Sequence, residues 1–481
     1  MSSTNDPRRW QALTVLSVAY LMVVLDIAIV NVALPSIKTA LDFSSDANLQ
    51  WIISGYSLTF GGFLLLGGRM GDLLGRRRLF MIGLTLFALT SLLAGLSVSS
   101  GMLIGARVAQ GAAGAILSPS VFSIVSVTFR EGSERNKALG VLGAISGAGA
   151  AIGVILGGVL TTYAGWEWIF FVNVPIGFLA LLLVPRVVRE SRADGLAHHF
   201  DAAGAFTVTG SLMLFVYALT RSTQVGWGAT ETILELIGSA ALMAAFLGWE
   251  NRSRSPLVPL RIFHRRTLTG ANVIGFLLGT MMFGMFFLLS LYMQQVLGMS
   301  ALKTGIGYLA VALTAVAASG AAQALVTRVG VKPALTAGLA LVGGGLVYFT
   351  QIAPNGSYWG DLFPGFLLLG VGLGFSFVPV SIAALAGVTG HDAGLASGLI
   401  NTSQQVGGAL GLAILTTVQV TRTNALLPPH VQFTPAAFTS GAALAFWVAA
   451  GVAAAAVVTT LLIVRRRDLR VEPEPAAVPV S

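Results

Sequence analysis

Residues 12–34 read Ala-Leu-Thr-Val-Leu-Ser-Val-Ala-Tyr-Leu-Met-Val-Val-Leu-Asp-Ile-Ala-Ile-Val-Asn-Val-Ala-Leu. The run is long enough to cross a bilayer as a helix and holds one ionisable group, Asp26. A carboxylate at that depth costs roughly 2.5–3.5 kcal/mol on insertion scales. A chain tolerates that cost where the group faces a wet cavity or a partner, so Asp26 is the first candidate for function.

The rest of the chain belongs to the same solvent. Of its 481 residues 55% are hydrophobic and 10% charged, and the mean hydropathy is +0.83. Soluble domains carry about 25% charged residues. One aqueous core cannot hide this much apolar surface, so lipid is the expected main solvent. The 58 glycines suit close helix packing. The absence of cysteine excludes disulfides, thiolate metal sites and cysteine catalysis.

Apolar runs of about 20 residues recur, giving about fourteen expected spans. They fall near 12–34, 48–68, 79–97, 102–128, 138–162, 167–185, 203–220, 232–249, 268–293, 304–326, 331–351, 358–386, 395–420 and 438–464. The net charge of +9 could suggest nucleic acid, but its cations sit in short loops. With the N-terminus inside, Arg76, Arg77, Arg78, Arg130, Arg135, Lys137, Arg265, Arg266, Lys332 and the 465–467 run all fall inside. Only Lys38, Arg221, Lys303 and Arg422 fall outside. The expectation is a multi-pass protein with both termini cytoplasmic and no nucleic-acid partner. Richness in Gly and Ala suggests a bacterial plasma membrane.

Two longer loops, 186–202 and 251–267, bracket the seventh and eighth spans. The expected organisation is an N-terminal segment 1–11, a six-helix bundle 12–185, a linker 186–267 with two extra spans, a second bundle 268–464 and a tail 465–481. Faint repetition supports two halves: Gly149, Gly153, Gly157 and Gly158 in the fifth span against Gly407, Gly408 and Gly411. Repeats of this kind mark many transporter folds, with the site between them near mid-membrane.

The strongest local motif is Gly68-Arg69-Met70-Gly71-Asp72-Leu73-Leu74-Gly75-Arg76-Arg77-Arg78. Its glycines allow a tight turn and close helix approach. Asp72 at a helix end with Arg76 and Arg77 in reach suits a charge latch that holds in one state and releases in another. A loop at Arg328-Val329-Gly330-Val331-Lys332 echoes it without the acid.

Depth pairs Asp26 with a second buried charge. Arg107 lies about 8 Å into the fourth span from outside, and Asp26 about 9 Å from the outer face of a ~30 Å core. An opposite charge favours an ionised carboxylate and desolvation favours a neutral one, so a site balanced between them can exchange a proton. Asn31, Gln110, Tyr292, Gln294, Gln295, Asn401 and Gln404 are candidate cavity groups, because amides in lipid need partners. Adjacent residues point about 100° apart, so not all can face one cavity. No nucleophile–base constellation or metal-ligand cluster is visible, so neither a catalytic nor a metal site is expected. His198 and His199 adjoin in a polar loop.

The spacing of Gly68–Arg78 resembles the signature loop of the major facilitator superfamily. Further segments resemble its branch of fourteen-span drug:proton antiporters: Leu25–Pro35, Arg107-Val108-Ala109-Gln110-Gly111, the fifth-span glycines, Trp166–Gly177, Tyr292–Gln295 and Asn401–Gly408. Two departures stand out: Val154 where the fifth-span motif usually has Pro, and Glu167 where Arg is common. The resemblance implies an all-α fold of two six-helix bundles plus two linker helices. It also implies a monomer without cofactor that exports small molecules, driven by the proton gradient. A transporter of one metabolite or siderophore on the same fold is the alternative.

Overall fold

In the computed structural model, residues 8–129, 133–191, 201–253, 256, 266–385, 393–428, 431 and 433–463 are described. The terminal segments 1–7 and 464–481, the loop with His198 and His199, and most of the loop before residue 266 lie outside them. The described residues are helical almost throughout and include no strand. This is what lipid requires, since a helix satisfies its own backbone groups. Eleven helices among the described residues are long and apolar enough to cross a membrane.

The first bundle is built from α1 (Arg9–Ala40), α3 (Trp51–Leu74), α4 (Arg76–Gly95), α5 (Ser100–Thr128), α6 (Ser133–Tyr163) and α8 (Asn173–Val187). Short helices α2 (Asp46–Leu49) and α7 (Trp168–Phe171) precede α3 and α8. The second bundle comprises α11 (Arg266–Leu291), α12 (Ala301–Val329), α13 (Val331–Phe349), α14 (Phe363–Leu385), α15 (Ala393–Leu426) and α16 (Pro435–Ile463). Side chains start several of these helices: Ser45, Ser99 and Ser300 each accept a backbone N–H three residues on. Gly75 (φ +104°) separates α3 from α4, and Gly330 (φ +89°) separates α12 from α13. Both take the backbone region that favours glycine, so the two loops that echo each other in sequence make the same kind of corner.

The extra pair, α9 (Ala202–Val225) and α10 (Thr230–Arg252), is joined by reciprocal bonds. Ser211 Oγ donates to Ser239 O at 2.8 Å and Ser239 Oγ to Ser211 O at 2.9 Å. Helix α9 lies along α3, where a Cβ on Gly62 would stand 2.0 Å from Thr209 Oγ1. It also reaches α15: Leu58 of α3, Leu212 and Val216 of α9 and Ala409 and Ala413 of α15 share one apolar cluster.

The apolar core divides into separate clusters. One continuous cluster joins Ile29, Val32 and Ile52, at the end of the first bundle remote from the termini, to Leu278, Leu346 and Phe446 of the second. Leu16, Phe80, Phe129 and Val184 of the first bundle belong to a separate core, while Leu66, toward the terminal side of α3, stays in the continuous cluster. The bundles are therefore bonded to each other at the remote end.

Candidate functional site

Asp26 and Arg107 meet. Arg107 Nη1 donates to Asp26 Oδ2 at 2.5 Å, with the two residues 1% and 0% exposed. Each has further partners. Arg107 Nη1 also reaches Gln110 Oε1 at 2.6 Å, and Arg107 Nε donates to Ile52 O at 3.0 Å. The guanidinium lies over the Tyr56 ring, 4.3 Å from its centroid. Asp26 Oδ1 accepts from Gln110 Nε2 at 2.9 Å and Asn173 Nδ2 at 3.2 Å. Those two amides also share Ser91 Oγ, at 2.7 and 3.2 Å.

Five helices of one bundle thus converge: α1 gives Asp26, α3 Tyr56, α4 Ser91, α5 Arg107 and Gln110, and α8 Asn173. Arg107 and Gln110 are three apart and share a helix face, which lets them clasp the carboxylate together. A buried ion pair is tolerable only when its remaining lone pairs and protons are bonded; here both carboxylate oxygens and Nε and Nη1 of the guanidinium have partners. The Tyr56 hydroxyl is the exception, buried with no partner among the described residues.

Sequence depth matched the two charges, and of the two settings it allowed Asp26, a wet cavity or a partner, the structure shows the partner. The structure closes it inside the first bundle at 0% exposure. The physical reason is the polar side chains on α4 and α8, which draw the carboxylate into the bundle rather than toward the seam between the halves. Asn173 sat in a quoted motif without an assigned role. Ser91, Tyr56 and the Ile52 carbonyl gave no sequence signal.

The other expected groups separate. The glycines of α6 pack it onto α1: a Cβ on Gly149 would lie 2.9 Å from Val24 Cγ1, on Gly153 2.8 Å from Ala28 Cβ, and on Gly157 2.7 Å from Ile29 O. Gly158 points elsewhere, to α12, where a Cβ would lie 2.8 Å from Leu302 Cα. Gly305 of α12 answers it, with Val154 O at 2.3 Å from its Cβ position. Gln294 crosses the halves, donating to Val32 O at 2.8 Å. Tyr292 belongs to the core of the second bundle: it is buried and its hydroxyl donates to Ala353 O at 2.8 Å, so it does not line a cavity. Asn31 Nδ2 turns back on its own helix, to Ile27 O at 3.2 Å. Gln295 and Gln404 are half-buried and Asn401 is exposed.

In the loop motif, Gly75 makes the corner and Gly68 has only ordinary contact with Pro119. The Asp72 side chain lies outside the described residues. Arg76 N–H donates to Ser191 O at 3.0 Å. Arg77 meets an acid that the sequence did not flag: Glu190 accepts the backbone N–H groups of Arg77 and Arg78 at 3.0 and 3.1 Å and stands 3.9 Å from Arg77 Nε.

Residues 16–412 match the family model described as Major Facilitator Superfamily. The chain belongs to the major facilitator superfamily. This facilitator is 39% identical over 451 residues to the puromycin resistance protein pur8 of Streptomyces alboniger, covering 93% of this chain and 89% of that one. It is 37% identical to the cephamycin export protein CmcT of Amycolatopsis lactamdurans, covering 85% and 84%. Its backbone resembles a bacterial homologue of the human lysosomal transporter Spinster in an inward-facing conformation, with TM-score 0.69 at 15% identity over 95% of this chain and 97% of the other. That likeness establishes the fold. The protein is a multi-pass membrane transporter, not an enzyme.

Proposed function

We propose that the protein is a monomeric fourteen-span antiporter of the plasma membrane that exports hydrophobic or amphipathic small molecules, antibiotics among them, in exchange for protons. Three helices beyond the eleven apolar ones support fourteen spans: α3, α6 and α15, of 24, 31 and 34 residues. The cation count of the loops supports cytoplasmic termini. Relatives named for puromycin, cephamycin, tetracenomycin C and lincomycin support an antibiotic as cargo.

One observation carries the coupling: the Asp26–Arg107 pair at 2.5 Å in a water-excluded bundle. A proton on Asp26 would cancel the ionic part of that bond. Arg107 would still hold Gln110 Oε1, Ile52 O and the Tyr56 ring, so its charge would not be stranded. The pair can therefore exist with and without the proton, and the carboxylate's attachment to α5 changes between the two. Because Asp26 is closed off here, water must reach it in another state of the cycle. Gln294 and the glycine crossing of α6 on α12 belong to the side that is closed in this state, and Asp72 with Arg76 and Arg77 to the latch on the opposite side.

The test is reconstitution. Liposomes holding the protein are loaded with an antibiotic panel and given an imposed pH gradient. Solute movement that follows the gradient, with stoichiometric proton counterflow, is the expected result. Movement indifferent to the gradient would remove the proton from the scheme.

A further inference from the structure

The exposed surface of α4 carries a groove of about 650 Å³ with a charged top and an apolar wall. Arg77 and Arg78 form the top; Met81, Ile82, Thr85 and Leu86 form the wall, and Glu190 closes one edge. A second groove of about 580 Å³ lies on α13, under Lys332, with Pro333, Thr336, Ala337 and Ala340 below it. The two share one register. Arg77, Arg78, Met81, Ile82 and Thr85 stand 2, 3, 6, 7 and 10 residues after the corner glycine Gly75. Lys332, Pro333, Thr336, Ala337 and Ala340 stand 2, 3, 6, 7 and 10 residues after Gly330.

The first cation of each groove makes equivalent bonds. Arg77 Nη1 donates to Val188 O, just beyond α8, at 3.3 Å, and Lys332 Nζ donates to Leu461 O, in the last turn of α16, at 2.6 Å. Each ties the corner to the last helix of its own bundle. The next position differs. The second half has Pro333, whereas the first has Arg78, an exposed cation whose guanidinium has no ion pair or hydrogen bond among the described residues. Glu190 is already engaged, with its carboxylate on two backbone N–H groups at the start of α4. Two guanidiniums against one carboxylate leave the top of this groove positive. Below it, Ile82, Leu86, Leu89 and Leu93 of a membrane-crossing helix are exposed, in line for an acyl chain.

We propose that the α4 groove seats an anionic phospholipid of net negative headgroup, its phosphate at Arg78 with Arg77 alongside and one acyl chain along Ile82, Leu86 and Leu89. The register-matched groove at Lys332, with one cation already bonded to a carbonyl, discriminates poorly among headgroups. A soluble phosphate would use the arginines and leave the apolar wall unused; a lipid uses both.

Native mass spectrometry of the intact protein in mild detergent, with equimolar phosphatidylglycerol and phosphatidylethanolamine added, reads the proposal directly. Phosphatidylglycerol is expected to be retained in preference. Arg78→Gln is expected to lower that retention about fivefold, the factor set by one cation at an anionic surface. Melting of the wild-type protein gives a second reading that needs no variant: phosphatidylglycerol raises the Tm more than phosphatidylethanolamine or inorganic phosphate. Equal retention of the two lipids, retention unchanged in Arg78→Gln, or a Tm rise matched by inorganic phosphate would each overturn the assignment.

Discussion

Asp26→Asn removes a charge and keeps an amide of nearly the same shape, so it separates the proton from the fold. Its carbonyl oxygen still accepts from Arg107 or Gln110, and Arg107 keeps Gln110 Oε1, Ile52 O and the Tyr56 ring, so the melting temperature is expected to fall, but by less than in Arg107→Ala. Gradient-driven efflux should fall at least about tenfold, measured as initial rates in liposomes with the pH gradient imposed and collapsed. Arg107→Ala makes the opposite cut. It strands a carboxylate at 0% exposure, and the loss of one partner of a buried pair costs about 3–5 kcal/mol. Denaturation should show that loss before any transport assay is run. Asn173→Leu lies between them, withdrawing one donor from Asp26 Oδ1 and one from Ser91 Oγ. A stability loss of about 1–3 kcal/mol is expected, with Ser91→Ala in the same background adding less than it does alone, because the two share a bond. The charged pair was legible in the sequence because a lone acid and a lone base at equal depth in lipid have few alternatives. Its amide shell was not, because an Asn or Ser in a membrane helix can face a neighbour, its own backbone or water, and only the assembled bundle decides which.

At the scale of elements, the glycines divide by what stands opposite them. A Cβ on Gly305 would meet the Val154 carbonyl of α6 at 2.3 Å, and backbone cannot swing away as a side chain can. Gly305→Ala is therefore expected to push α6 and α12 apart and cut transport more than about tenfold while the protein stays helical and monodisperse. Gly101→Ala, with nothing within 4 Å, is the control and should be silent in both measurements. Helix α9 poses a different constraint. Gln50 Nε2, at the remote end of the first bundle, donates to Thr220 Oγ1 at 2.8 Å, and Thr417 Oγ1 of α15 donates to the adjacent Leu219 O at 3.3 Å. Two bundles thus grip neighbouring residues of one rigid helix, and parting at that end must break one grip. Thr417→Val should ease the parting, seen as faster reaction of a single introduced cysteine at Val32 with a membrane-impermeant maleimide. The chain has no cysteine of its own to interfere. The sequence separated α9 and α10 from the bundles by their flanking loops. It gave no sign that α9 spans the α3–α15 seam, because the residues that hold it there are ordinary Thr, Ala and Leu.

For the whole molecule, the apolar cluster shared by the two bundles at the remote end is the contact that alternation of the proposed antiporter has to break. The seam between α6 and α12 offers a direct way to arrest that alternation. Leu302 N–H donates to Thr162 Oγ1 at 3.3 Å, which sets the two residues side by side across the seam. Thr162 is exposed and Leu302 half-buried, so an oxidant can enter. A Thr162→Cys, Leu302→Cys double variant should cross-link in membranes, arrest efflux while oxidised and recover it on reduction; either single variant should transport in both conditions. The logic rests on alternation. If the remote end never opened, a bond across it would cost nothing, and full transport by the oxidised protein would show that the cargo path does not cross this seam. Arrest relieved by reductant would instead tie turnover to separation of the two bundles at the end where their cores are now continuous.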